Sequence, residues 1–465
     1  MTREPGERHL VRALTVVPAA AVILANIIGT GVFVKARVMI CNVGSPEMVL
    51  LVWVLAGLLT MAGALVYAEL GAMMPRSGGE FHFLGAAYGP RWAFLYGWTK
   101  TLALGASAAA TAIIFVAFLN ALTGGRLSPL AVSVLPLVVI AVGTIVNFAS
   151  VKSSGWTATA LTGVKVALVL LVGVGGFVLA DGSFEHYALS GAGGTCEGVP
   201  ETARLGLNGF GAAMLGALWG YNGWAIIAAV GGEIREPART LPIALIGATV
   251  TVIALYLMIN ASYFYVLTPE EVASVSEQSS VALEAAIRFF GPGVTVLMAT
   301  GLMLSAYGTL HTTLLTGPRV TYALARAELL PAVLARLSAN GVPVVSVVAI
   351  GVWSVFLAAT GTYDILTDIY IFVLWVFFGM NGAALFILRR REPEAERPYR
   401  AWGYPVLPAL FLVATAYLLV NTVMATPLRA LAGVGLIVAG LPVFGYFARR
   451  ADNLDAIRWL GRDDA

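Results

Sequence analysis

Ile27-Ile28-Gly29-Thr30-Gly31-Val32-Phe33 lies in the middle of a long apolar run, residues 14–40. A helix that crosses a bilayer is a poor place for two glycines, since each disfavours helix by about 0.8–1.0 kcal/mol against alanine. In hydrocarbon the cost grows, because backbone groups freed by a break find no water. Such a break persists where it lines a cavity and holds something. A second interrupted stretch, Leu218-Trp219-Gly220-Tyr221-Asn222-Gly223-Trp224, sits inside the apolar run 205–232. Small residues also let membrane helices pack closely, and one interruption alone reads equally well that way. Two interruptions in corresponding places point instead to a transporter's substrate site.

Composition fixes the setting. Of 465 residues 59% are hydrophobic and 11% charged, and the mean hydropathy is +0.86. A span takes roughly 20 apolar residues, and about a dozen such runs follow one another. The fold class is therefore all-α integral membrane, one domain over 1–465. No Walker loop, zinc pair or catalytic triad is present, so neither an enzyme nor a cofactor or metal site is expected. Nothing points to a nucleic acid. Cys41 and Cys196 are the only cysteines, too few for a disulfide framework. Both fall near the predicted outer face; one bridge is open to them, and two free thiols are the expectation. The first apolar run is too long for a signal-peptide core and reads as the first helix.

Arg3, Arg8 and Arg12 precede span 1, which places the N-terminal segment 1–13 in the cytoplasm. Span 1 runs outward, and span 2 (48–73) returns to Pro75-Arg76-Ser77-Gly78-Gly79. The aromatic stretch 80–88 is too short to cross and reads as an inner re-entrant or interfacial helix. Spans 3 to 5 cover 92–119, 130–149 and 156–180, and a Gly-rich acidic loop, 181–204, lies outside. Span 6 ends inside at Glu233-Ile234-Arg235-Glu236-Pro237; spans 7 and 8 are 243–267 and 293–324, and spans 9 and 10 share 344–388. Arg389-Arg390-Arg391 and Arg449-Arg450 keep the inner face basic, with both termini cytoplasmic and the tail at 448–465. Lys35 and Arg37, at the outer end of span 1, run against this bias. Repeat 1 (14–180) and repeat 2 (205–388) each hold five spans and begin with a broken one. Five is odd, so the second set enters from the opposite side, an inverted repeat. Spans 11 and 12, within 404–447, are an appendix.

The breaks imply a chemistry. After the first, a helix running outward presents the free amides of Thr30, Gly31, Val32 and Phe33 to the midplane, where its dipole favours an anion. The half before it ends in carbonyls near Ala25 to Ile28. The outer half of span 6 ends in carbonyls near Leu218, Trp219 and Gly220. Amides and carbonyls converge, and a carboxylate two bonds from an ammonium fits: an α-amino acid. Desolvating a carboxylate costs several kcal/mol, a helix dipole returns at most about 2, and charged hydrogen bonds give about 1.5–3 each. Two or three amides are therefore needed, and glycine at 29 and 31 removes the Cβ atoms that would keep a carboxylate from them. The substrate-binding set is Ile27, Ile28, Gly29, Thr30, Gly31, Trp219, Gly220 and Tyr221. Trp219 and Tyr221 read equally as packing aromatics or as gate and pocket wall. Lys165, mid-span and too deep to snorkel, is read as functional. His311 is the other buried titratable group; a lone membrane histidine is more often packing, though its titration suits coupling.

Further motifs resemble the amino acid–polyamine–organocation superfamily, especially its L-type amino-acid transporter branch. They are Ile28-Gly29-Thr30-Gly31-Val32-Phe33, Tyr67-Ala68-Glu69-Leu70-Gly71, Ser77-Gly78-Gly79-Glu80, Tyr221-Asn222-Gly223-Trp224, Glu233 with Pro237 and Pro242, and Arg397-Pro398-Tyr399 with Trp402-Gly403-Tyr404-Pro405. The resemblance implies a LeuT-like five-plus-five inverted repeat working by alternating access, with substrate held by broken helices 1 and 6. In it Trp219 matches an aromatic that closes over substrate. Lys165 matches a fifth-helix lysine that stands where sodium-coupled relatives hold a cation, implying sodium-independent exchange or proton coupling. Animal members join a glycoprotein subunit through a cysteine after span 3; residues 121–129 have none, so no disulfide-linked heavy subunit is expected. Ala225 stands where many animal members have asparagine, which blurs the substrate preference. The reading is a cell-membrane (plasma or inner) antiporter or proton-linked permease for small to medium neutral amino acids. The alternatives are a polyamine or other amine transporter of the same superfamily, or a non-transporting amino-acid sensor.

Overall fold

In the computed structural model the described residues are 10–29, 31–191, 193–276, 279–361, 363–425 and 427–450. Thr30, Arg3, Arg8 and the tail from 451 lie outside them. All regular structure among the described residues is helical, apart from two isolated bridges, Leu14 with Ile234 and Ser77 with Val230.

The first apolar run is two helices, α1 (Val16–Ile27) and α2 (Gly31–Val43), bent by 43° at the break. Then come α3 (Pro46–Met73), the short α4 (Glu80–Tyr88), α5 (Pro90–Leu122), α6 (Pro129–Val146) and α7 (Val151–Leu179). The second half holds α8 (Gly206–Gly220), α9 (Pro237–Val266), two short helices α10 (Pro269–Ala273) and α11 (Val281–Phe290), and α12 (Val294–Thr316), continued by α13 (Pro318–Arg326). The chain closes with α14 (Val344–Thr360), α15 (Tyr363–Arg391), α16 (Val406–Ala425), α17 (Pro427–Val438) and α18 (Gly440–Ala448). Local chemistry sets several starts: Ser45, Ser128 and Ser150 accept from first-turn amides of α3, α6 and α7, and proline opens α3 and α6 where its missing N–H is no loss.

Among the described residues nine helical stretches are long and apolar enough to cross a membrane, or ten with the bent pair counted as one. Besides the bent first run, two of the twelve runs read from hydropathy are not long regular helices. Span 6 stops as α8 after 15 residues and goes on in 3-10 turns, and α14 has 17 residues.

Helix α1 packs against α7 and α9, α2 against α8, α3 against α8 and α9, and α5 against α12 and α14. The broken helices are thus walled in by other helices rather than facing lipid. Free thiols at Cys41 and Cys196 are corrected here: the two sulfurs are bonded, 2.04 Å apart, tying the loop before α8 to the end of α2. Nothing local in the sequence pairs them, because they stand 155 positions apart.

The opposite end is closed by polar pairing. The Ala13 and Leu14 amides donate to the Glu233 carbonyl, and the Arg235 amide donates to that of Leu14. Arg319 meets Glu233 at 3.0 Å with both side chains buried, and Arg389 meets Glu69 at 2.6 Å. Burying such charges is tolerated only when they are paired and hydrogen-bonded.

Candidate functional site

Helix α1 ends at Ile27, and α2 begins at Gly31. Among the described residues none accepts from the amides of Gly31, Val32 or Phe33, as first-turn donors of a helix require. Added Cβ atoms show the space around them. At Gly29 only the Ile27 carbonyl would be near, at 4.0 Å, whereas at Gly31 a Cβ would stand 2.9 Å from the Trp219 ring. Gly31 is therefore a contact glycine and Gly29 lies beside open space.

The carbonyl ends differ from expectation. Lys165 Nζ, on the fully buried side chain of α7, donates to the carbonyls of Ala25 and Ile28 (2.9 Å to the latter) and to Thr309 Oγ1 at 2.8 Å. Thr309 also donates to the Ala25 carbonyl. Tyr256 Oη, on α9, lies 2.9 Å from the Ile27 carbonyl and 3.0 Å from that of Gly220, sharing one proton between the two breaks. The carbonyls of Ala25, Ile27, Ile28 and Gly220 are thus already met by protein donors, and the Trp219 carbonyl accepts from the Asn222 amide. Of those read as open to an ammonium at the second break, only the Leu218 carbonyl has no donor among the described residues.

The second break is built by its own main chain. Helix α8 ends at Gly220, a turn follows through Asn222, and 3-10 structure resumes at Trp224. Gly223 has φ +118°, a left-handed conformation that favours glycine, and its missing Cβ would stand 2.8 Å from the Asn26 backbone. The two breaks therefore touch.

Tyr221 and Trp219 part company. Tyr221 is buried, donates to the Trp53 carbonyl and packs with Trp53 and Tyr256 at ring centroid distances of 5.5 and 5.1 Å. Trp219 is 43% exposed, beneath the ammonium of Lys35 at 4.9 Å from a ring centroid. Ile27 and Ile28 are buried. His311 Nε2 faces the Ser154 carbonyl at 2.9 Å and Nδ1 faces Asn147 Nδ2 at 3.2 Å, so both ring nitrogens are engaged with α7 and the cap of α6 rather than with the broken helices.

Sequence reading missed Tyr256, Thr309 and Asn26. A signal for the first was present: Thr249, Tyr256, Asn260 and Tyr263 recur at helical spacing along one face of α9, a polar stripe that hydrocarbon would not tolerate unpartnered.

Curated relatives bear on what such a site serves. The chain is 29% identical over 430 residues to the serine/threonine exchanger SteT of Bacillus subtilis (strain 168), covering 92% of this chain and 94% of that one. It is 27% identical over 433 residues to the human b(0,+)-type amino acid transporter 1, covering 92% and 85%. Against the human cystine/glutamate transporter it is 26% identical over 454 residues, covering 95% and 87%. Residues 14–447, from the strand-like segment before α1 to the last turn of α18, match the amino acid permease family model, and the chain belongs to that family of transporters, which are not enzymes.

Proposed function

We propose that this protein is a secondary amino-acid transporter of the cell membrane that exchanges small to medium neutral amino acids without sodium, by alternating access. The observation that carries the reading is the Lys165 ammonium on the Ala25 and Ile28 carbonyls. A helix end stripped of its next turn offers carbonyls to a cation, and here the protein supplies that cation itself. Sodium has no comparable place at this break. The amides opening α2 are left for the substrate carboxylate, beside the open space at Gly29. Trp219, in contact with Gly31, is the gate over them.

Repeats 14–180 and 205–388 rock against each other around this centre, with 404–447 outside the moving pair and both termini cytoplasmic. The basic inner loops support that orientation. Neutral substrates are favoured because Glu69 and Glu233, the carboxylates at the inner ends of the spans, are already held by Arg389 and Arg319. The serine/threonine exchanger among the relatives agrees with this choice. No disulfide-linked subunit is required, since both cysteines of the chain are spent on each other.

The test is exchange in proteoliposomes loaded with a neutral amino acid and presented with labelled amino acid outside, with sodium or choline as the cation. The expected result is equal exchange in both. No exchange for any neutral amino acid, or exchange only in sodium, would defeat the proposal.

A further inference from the structure

Between α2, α8 and the loop carrying Cys196 lies a cavity of about 360 Å³, within the roughly 300–1,000 Å³ range of small-ligand sites. Trp219 and Lys35 both line it. Trp219 is therefore shared: its ring also meets the start of α2 at Gly31, so the indole stands between cavity and break. Lys35 lies one turn beyond Gly31 on α2. A lysine that merely snorkelled would turn its ammonium to the headgroups. This one lies over the Trp219 ring and has no carboxylate partner among the described residues.

A second polar side chain lies at the wall of the same space. Asn42, seven residues past Lys35 on the same helix and therefore on the same face, is 1% exposed and lines the cavity. Its Nδ2 donates to the Ala203 carbonyl at 2.6 Å, while its Oδ1 is buried without a partner. An orphaned buried acceptor is costly unless something visits it.

We infer that this cavity is a loading site for the zwitterionic head of the incoming amino acid, separate from the site at the breaks. Lys35, next to the gate, takes the carboxylate. Asn42 Oδ1, about 10 Å farther out by the helix rise, accepts from the ammonium of a molecule arriving at the mouth. The order matters: the substrate reaches Trp219 carboxylate first, the orientation the free amides of α2 demand. The inference rests on the transport reading above, and it adds a site that acts from one side of the membrane only, the side bearing the Cys41–Cys196 bridge.

Initial rates of exchange would be measured from each face of uniformly oriented proteoliposomes made of phosphatidylcholine alone, so that no anionic lipid competes for Lys35. Lys35→Gln should raise KM on the bridge side about tenfold, as loss of one charge-assisted hydrogen bond implies, with the maximal rate within about twofold. KM from the opposite side should not move, and Lys35→Arg should recover most of the loss. Inhibition by the amino alcohol of the same substrate, which lacks the carboxylate, should be unchanged. Asn42→Leu, which keeps the side-chain volume, should raise the bridge-side KM severalfold and serves if Lys35→Gln does not fold. Unchanged KM in both variants, or an equal change from both faces, would overturn the loading site while exchange itself stands. A wild-type protein that exchanges nothing would overturn both readings.

Discussion

At the first break the chain leaves helix after Ile27, and the carbonyls it strands are met by side chains from other helices: Lys165 from α7, Thr309 from α12 and Tyr256 from α9. At the second break the main chain meets most of its own groups, through the Tyr221 and Asn222 amides and the 3-10 turns that follow Gly223. Aromatic packing of Trp53, Tyr221 and Tyr256 surrounds it, and the Glu233–Arg319 pair anchors its far end. The difference teaches which break is adjustable. A turn closed by its own amides holds its shape without help. A break held open by three borrowed side chains changes whenever one of them changes partner, and this one also presents unfilled amides beside open space.

The strongest test removes the anchor of the second break. Arg319→Met strands the buried Glu233 carboxylate, which costs about 3–5 kcal/mol when a partner is deleted. The expected outcome is a large fall in the thermal midpoint of the purified protein in detergent. Arg319→Met with Glu233→Gln should recover much of it, because neither charge is then left unpaired. A single variant as stable as wild type would show that the far end of the second break is not fixed by this pair.

Lys165→Ala addresses the first break and should be the next largest effect. It deletes up to three charge-assisted bonds, each worth about 1.5–3 kcal/mol on the wild-type side, though water or a cation can refill part of the space. The protein should still insert, with exchange falling at least tenfold and the remaining activity acquiring a response to sodium. Uptake unchanged at every pH would remove the lysine from the mechanism and make the two breaks equivalent.

Much of this contrast was legible before any coordinates. Glycines 29 and 31 mark the first break only together with the matching interruption at 218–224, since glycines 57, 63, 173 and 176 lie inside unbroken helices and serve close packing. A lysine mid-span declares itself by the cost of its charge. What stayed hidden is long-range pairing. The polar stripe of α9 marks Tyr256, but not its partners: the fold brings two helix ends, 229 and 36 residues away in sequence, to its hydroxyl. The same holds for the Cys41–Cys196 bridge and for the arginines that meet Glu69 and Glu233. The break in span 6 was legible from its glycines, but the 3-10 course after it was not, because hydropathy does not register backbone angles; α8 ends at Gly220 and Gly223 at φ +118° turns the chain into it.

Tyr256→Phe reaches both breaks at once and sharpens the comparison at the smallest scale. The hydroxyl is one donor shared by two carbonyls, so its loss should cost about 1 kcal/mol of stability, the net worth of a neutral hydrogen bond. Its consequence for function should be unequal. The Gly220 carbonyl belongs to a turn held by neighbouring amides, while the Ile27 carbonyl belongs to the end that Lys165 also holds. If the first break is the adjustable one, Tyr256→Phe should weaken substrate affinity several-fold, and its effect should be non-additive with Lys165→Ala in a double-mutant cycle, since both act on one helix end. Additive effects on KM would mean that the tyrosine serves the second break alone, and that the two interruptions, though in contact, are held independently.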